Sequence, residues 1–130
     1  MAEGIAQQWL CEHDINSWQT VSAGISAFEG FPTSQEAIDA LSKLGIEYEG
    51  TSKPLTQKMI AAANIVLCMT PSHLVEAQSL HKKSNHIELL DPGGSIMDPM
   101  GANQSVYDAI ASQLQSLIAK RLKTLIQQEA

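Results

Sequence analysis

The chain has 130 residues, 44% of them hydrophobic, and its 8 Lys and Arg against 14 Asp and Glu leave a formal charge of −6. This fits one ordinary globular domain over 1–130 with enough apolar residues for a real core, and basic residues that cluster only at Lys82-Lys83 and Lys120-Arg121-x-Lys123 argue against nucleic acid as a partner. No apolar run is long enough to span a membrane, and the first residues lack the basic start and apolar block of a signal peptide, so a cytoplasmic protein with no membrane partner is expected.

In chain order, Ile5, Ala6, Trp9 and Leu10 form a helical apolar stripe that begins at the first residue, with no capping residue ahead of it. Residues 18–22 read as a short strand closed by Ala23-Gly24, and they lead into a loop through Phe28, Gly30 and Pro32. Thr33-Ser34-Gln35-Glu36 has capping-box spacing ahead of Ala37, Ile38, Leu41 and Leu44, with Gly45 as the stop. Residues 46–54 are polar and irregular, after which Thr56 caps a short helix over 57–63. The continuous apolar run 65–69 predicts a strand covered on both faces. Thr70 and Pro71 then suit the N-cap and first position of a helix whose buried side is Leu74, Val75 and Ala77. A last strand over 87–90 leads to the turn Asp91-Pro92-Gly93-Gly94, and from about Asn103 a long helix carries Val106, Ile110, Leu114, Leu117, Ile118 and Leu125 at helical spacing.

Helices alternating with short buried strands predict an α/β fold, a three-layer α/β/α arrangement around an open parallel sheet with right-handed crossovers. Only three strands are visible, few for such a sheet. Cys11 in a helix and Cys68 in a buried strand fit reduced thiols used as small core residues rather than a disulfide framework. His81 and His86, five apart with two lysines between, do not face one metal. No metal and no organic cofactor is expected.

The stretch Ile96-Met97-Asp98-Pro99-Met100-Gly101, between the last strand and the long helix, holds the best candidate for a catalytic acid. Pro99 biases Asp98 toward extended backbone and Gly101 frees the next bend, so a carboxylate is held at a defined place on a loop. Loops at the carboxyl ends of strands are where open α/β sheets bind ligands. Read alone, Asp98-Pro99 is first of all a turn dipeptide, and Met97 and Met100 are open to a reading as packing residues.

Taken together, Met1-Ala-Glu-Gly-Ile-Ala, Ser22-Ala-Gly-Ile-Ser, the run from Ala37 to Gly45-Ile46, Pro54-Leu55-Thr56, Ile65-Val-Leu-Cys-Met-Thr70, His86-Ile-Glu-Leu-Leu90 and Asp98-Pro99-Met100-Gly101 with Val106-Tyr107 resemble the low-molecular-weight protein-tyrosine phosphatase family nearly end to end. The resemblance implies that family's fold, with Asp98 as the general acid that protonates the leaving oxygen. It implies Phe28 as one wall of a substrate slot. At the other wall stands Met100, where relatives commonly carry an aromatic, which makes that wall softer and non-stacking. Thr51 follows Gly50 where many relatives have His, which loosens the support of the phosphate loop. The partner implied is a phosphorylated protein, by family habit a phosphotyrosine, or a small phosphoester.

The same resemblance implies a strand and a Cys-x5-Arg-Ser/Thr phosphate-binding loop immediately ahead of the segment matching Met1-Ala2-Glu3. Neither Cys11 nor Cys68 replaces that nucleophile, since Ser17 and Leu74 stand six positions on, where Arg is required. The chemistry needs a thiolate to attack phosphorus and an Arg fork to hold the phosphoryl oxygens. The expectation is therefore an inactive chain lacking the family's first, central strand. It is read as an N-terminally shortened phosphatase, or alternatively as a non-catalytic pseudophosphatase binding module. An arsenate reductase on the same fold is a third reading, for which Cys68 is badly placed. A vacant strand slot flanked by Val21 and Val66 favours self-association.

Overall fold

The computed structural model describes residues 1–25, 27–81 and 85–129, so the Lys82-Lys83 pair lies outside the described residues. The first helix, α1 (Ala2–Glu12), begins at Met1 with no side-chain cap. The later helices each start from a short polar side chain that satisfies an otherwise orphaned N–H. Ser34 accepts from Ala37 N at 3.3 Å to open α2 (Gln35–Lys43), and Thr56 accepts from Met59 N at 3.2 Å to open α3 (Gln57–Ala62). After β1 (Val66–Cys68), Thr70 accepts from His73 N at 3.1 Å and Pro71 stands at the start of α4 (Pro71–Leu80). Beyond β2 (Ile87–Leu89), Asn103 Oδ1 accepts from Val106 N at 3.2 Å at the head of α5 (Gln104–Glu129).

The cap of α2 is one residue later than the predicted box. Thr33 is committed elsewhere: its hydroxyl donates to Gly50 O at 3.0 Å and accepts from Gly50 N at 2.9 Å. Gly45, at φ +79°, takes the left-handed conformation that ends α2 as predicted.

Two compact units emerge. The first comprises Met1–Ser22, Pro32–Thr51 and Pro99–Ala130, and its elements are α1, α2 and α5. Both α1 and α2 pack on α5. Ala37 and Ala40 of α2 meet Tyr107 and Ala111 of α5, with Met1 and Leu44 against the cluster. The buried stripe of α5 runs Tyr107, Ile110, Ala111, Leu114, Ile118, Leu122. It includes Tyr107, Ala111 and Leu122 alongside the predicted Ile110, Leu114 and Ile118, because small and amphipathic residues fill a helical face as well as Leu and Ile do. Lys43 Nζ lies 2.5 Å from Asp108 Oδ2, and this bond, helped by Gln104, holds the Asp108 carboxyl below its ordinary range.

The second unit comprises Ala23–Phe31 and Ser52–Asp98. β1 and β2 pair in parallel with Val66 opposite Ile87 and Cys68 opposite Leu89. Ile60, Cys68, Ala77 and Ile87 form the core, with Leu55, Val66 and Leu74 partly buried against it. Val75, predicted to be buried, is 64% exposed. Leu74 and Ala77 already occupy the inward face at i and i+3, and the next residue along a helix is turned about 100° away.

Two sequence expectations are corrected. Residues 18–22 form no strand; the sheet among the described residues has two strands, and Gly24 makes only an isolated parallel bridge to Pro54. A β-rich run becomes a strand only when a partner strand takes its backbone groups, and among the described residues no strand pairs with 18–22, while the Thr20 and Ser22 side chains bond Glu3. Cys11 is exposed on α1 and is not a core residue, because the inward stripe of that helix is taken by Ile5 and Leu10. None of the helices among the described residues is long and apolar enough to cross a membrane.

Candidate active site

Asp98 lies on the loop that leaves β2, and local hydrogen bonds set the path of that loop. Leu90 N donates to Cys68 O at 2.8 Å, continuing the register of the sheet by one step. The Asp91 carboxylate accepts from Gly93 N at 3.1 Å and Gly94 N returns to Asp91 O at 3.2 Å, so Asp91-Pro92-Gly93-Gly94 is the self-bonded turn expected of it. The chain then comes back to the sheet. Ile96 N donates to Met69 O at 2.9 Å and the Ile96 side chain is 3% exposed. Two residues beyond this anchor, Asp98 is exposed. This unit thus carries its candidate acid on a segment tied to the residue just past β1.

The residues after Asp98 belong to the helical unit. Ala102 N donates to Pro99 O at 2.8 Å and Gly101 has φ +81°, a turn that needs a residue free to adopt the left-handed region. Met100 stands at the tip of that turn, 81% exposed, and Met97 on the preceding unit is 57% exposed. Neither is a core residue.

Phe28 is 75% exposed. Sequence reasoning missed its companion: Phe31, 61% exposed, meets it edge to face with ring centroids 6.2 Å apart. It also missed what holds the pair. Ser52 Oγ donates to Phe28 O and accepts from Phe31 N at 3.0 Å, while its backbone accepts from Gly30 N at 2.9 Å and donates to Phe31 O at 2.7 Å. Two aromatic residues three apart around a glycine were the available signal. Phe28, Phe31, Ser52 and Asp98 fall in one compact unit, and Met100 falls in the other. Thr51 is exposed and makes an isolated antiparallel bridge to Pro32.

A third cluster, also missed, lies in the helical unit at the first turn of α1. Glu3 accepts from Ser22 Oγ at 2.9 Å and from Tyr48 Oη at 2.5 Å. Burial, and then the bond to Glu3, push the Tyr48 phenol up to about 12. The ring fits because Gly4 has no side chain; a Cβ there would lie 2.8 Å from Tyr48 Cγ.

Neither cysteine is placed like the nucleophile that the resemblance implies. Burial pushes the Cys68 thiol up, opposite to the depression that makes a thiolate. Cys11 sits in the last turn of α1, far from the helix end whose dipole favours an anion. His86 lends one ring nitrogen to Ile60 O at 2.8 Å and stands edge-on to His81, with centroids 6.2 Å apart. Among the described residues no group of three His, Cys, Asp or Glu side chains is arranged to hold a metal.

The family model for low molecular weight phosphotyrosine protein phosphatase matches residues 1–130. The chain is 26% identical over 131 residues to a protein-arginine-phosphatase of Bacillus subtilis, covering 96% of this chain and 87% of that one. It is 27% identical over 127 residues to a low molecular weight phosphotyrosine protein phosphatase of Rattus norvegicus, covering 87% and 78%. The crystal structure of a low molecular weight protein tyrosine phosphatase from T. tengcongensis superposes with a TM-score of 0.89 at 32% identity, over 95% of this chain and 88% of that one. The family model matches the chain along its whole length and the fold superposes on a member of that family: the chain belongs to the low molecular weight phosphotyrosine protein phosphatase family.

Proposed function

We propose that these residues, as a single domain over 1–130, are the scaffold and general-acid part of a phosphatase that hydrolyses phosphorylated protein side chains through a phosphocysteine. In this reading the nucleophile comes from a Cys-x5-Arg-Ser/Thr loop that is not among the 130 residues, and the chain as given is inactive. The observation that carries it is Asp98, exposed on a loop tied back to the sheet through Ile96, in a chain matched by the family from end to end. The thiolate attacks phosphorus and the bond from phosphorus to the leaving atom breaks. Asp98 gives its proton to that atom and then takes one from the water that releases phosphate. Phe28, which falls in the same compact unit as Asp98, is the aromatic wall offered to the leaving group.

Both relatives' chemistries are compatible with this role, since a phenolate with pKa near 10 and a guanidine, more basic still, each leave poorly without a proton. The test is to assay the 130-residue chain and a version extended by about 15 residues carrying the loop, a length that at about 3.3 Å per residue provides a strand and a turn. Substrates are an aryl phosphate, a phosphotyrosine peptide and a phosphoarginine peptide. We expect turnover only from the extended form, with Asp98→Asn lowering it about 10²–10⁴-fold on poor leaving groups and less on activated esters. Turnover by the 130-residue chain refutes the reading.

A non-catalytic binding module is the second reading, favoured by one observation, that no cysteine in the chain is followed by Arg six positions on. An inert extended chain would select it. Self-association belongs to the same proposal. Val21 is 61% exposed and the two-stranded sheet leaves one edge of β1 without a ladder partner among the described residues, which supports pairing between copies. Light scattering that finds only monomer, with an ordinary cooperative melt, would remove that part.

A further inference from the structure

Within the helical unit, α1 closes in a way that builds a cleft against the last turns of α5. His13 N donates to Trp9 O at 3.2 Å, Asp14 takes a left-handed φ of 55°, and Ile15 N reaches back to Leu10 O at 2.9 Å. This is the closure that folds the residue after a helix back over its last turn. Ile15 becomes one wall, with Trp9, His13, Lys120, Lys123 and Ile126 among the other lining residues of a cleft of about 480 Å³. That volume is in the range of small-molecule sites, roughly 300–1,000 Å³.

The lining has a definite chemistry. Trp9 and His13 are stacked, centroids 3.9 Å apart and planes at 21°. His13 Nδ1 lies 2.8 Å from Trp9 O, and since a carbonyl only accepts, this nitrogen carries the proton and the ring is locked in place. The result is a fixed aromatic surface beside two aliphatic walls. Lys120 and Lys123, three apart on α5 and therefore on one face, are exposed at the same cleft. No carboxylate lines it among the described residues, although the chain carries 14 acidic residues against 8 basic ones. The Glu12 carboxylate is occupied by Gln8 Nε2 at 3.0 Å.

We propose that this cleft is a binding site for a small aromatic anion, a flat ring system bearing a carboxylate or phosphate. The ring lies against the Trp9–His13 stack and the anion between the two lysines. The site is independent of the phosphatase reading: its residues and Asp98 fall in different compact units, and none of them takes part in the proposed chemistry.

The experiment titrates the 130-residue chain carrying Trp18→Phe with 2-naphthoate, following quenching of Trp9 emission. We expect saturable quenching. Lys120→Glu with Lys123→Glu should weaken binding about tenfold, since two exposed attractions become repulsions. Lys120→Arg with Lys123→Arg should stay within about twofold, and neutral 2-naphthamide should bind about tenfold more weakly than the carboxylate. Circular dichroism of each variant establishes that it is folded, and His13 ring resonances in the unsubstituted chain give a second readout if Trp18→Phe is not. The proposal is overturned by an absence of saturation, by equal affinity in the folded double Glu variant, or by equal binding of acid and amide.

Discussion

The helical and sheet-bearing units obey different rules of stabilisation. In the first, α1, α2 and α5 close most of their hydrogen bonds within their own segments, and packing only has to bury one stripe of each. In the second, β1 and β2 are three residues each, so every strand bond requires the other strand in register. The sheet unit buries fewer large side chains than the helical one, Ile60, Ile87, Leu90 and Ile96 with the small Cys68 and Ala77. Its order is the more collective of the two, and damage at one core position there should spread further.

The largest test uses matched truncations, Ile60→Ala in the sheet unit and Leu41→Ala in the helical one, both side chains being 0% exposed. Each should cost about 2–5 kcal/mol in denaturant unfolding. Amide exchange then sharpens the contrast: Ile60→Ala should release β1 and β2 together while α5 keeps its protection, and Leu41→Ala should loosen α2 before the sheet. If both variants release all amides alike, the two units are one cooperative body and the comparison fails.

A smaller effect is expected at the Glu3 cluster. Gly4→Ala puts a methyl 2.8 Å from Tyr48 Cγ, and overpacking of this kind costs about 1–3 kcal/mol. Removing the ring with Tyr48→Ala should make Gly4→Ala nearly neutral, a double-mutant coupling of about 0.5–3 kcal/mol. Additivity would mean that the ring and Gly4 do not meet.

The smallest effect is a titration. The Tyr48 phenol is pushed up to about 12 in the folded chain, chiefly by burial and then by Glu3, from an ordinary value of 10.0. Its protonated form is therefore favoured by folding. That contribution is complete below about pH 10 and is lost as pH rises through about 12. In a Tyr107→Phe background, phenolate absorbance should rise with a midpoint near 12, and Glu3→Gln should move it only part of the way back, because burial is the larger cause. A midpoint at 10 in the folded parent would show the cluster to be open to water.

Much of the fold is legible without coordinates where one residue and its near neighbours suffice. Thr56, Thr70 with Pro71, and Gly45 act through bonds or backbone angles a few residues away, and each does so as expected. The Asp91 turn is of the same kind. Thr33 illustrates the limit: its sequence spacing fits a cap, yet it bonds Gly50, 17 residues distant, and Ser34 takes the cap. Phe28 was nameable through the resemblance, whereas Phe31 and the Ser52 bonds that hold both rings needed the folded loop.

The starts of α3, α4 and α5, the long apolar stripe of α5, the parallel character of β1 and β2, and the placement of Asp98 on a loop after the last strand were all within reach of the sequence, because these rest on periodicity, caps and dihedral preference. The tertiary structure decided that residues 18–22 would not be a strand, that Cys11 and Val75 face outward, and that Glu3, Ser22 and Tyr48 meet. The missing strand and the Glu3 cluster depend on partners distant in the chain, and the outward turn of Cys11 and Val75 on which face of each helix the core takes. Strand pairing, burial and a hydrogen bond across 45 residues are properties of two surfaces, and a local pattern encodes only one of them.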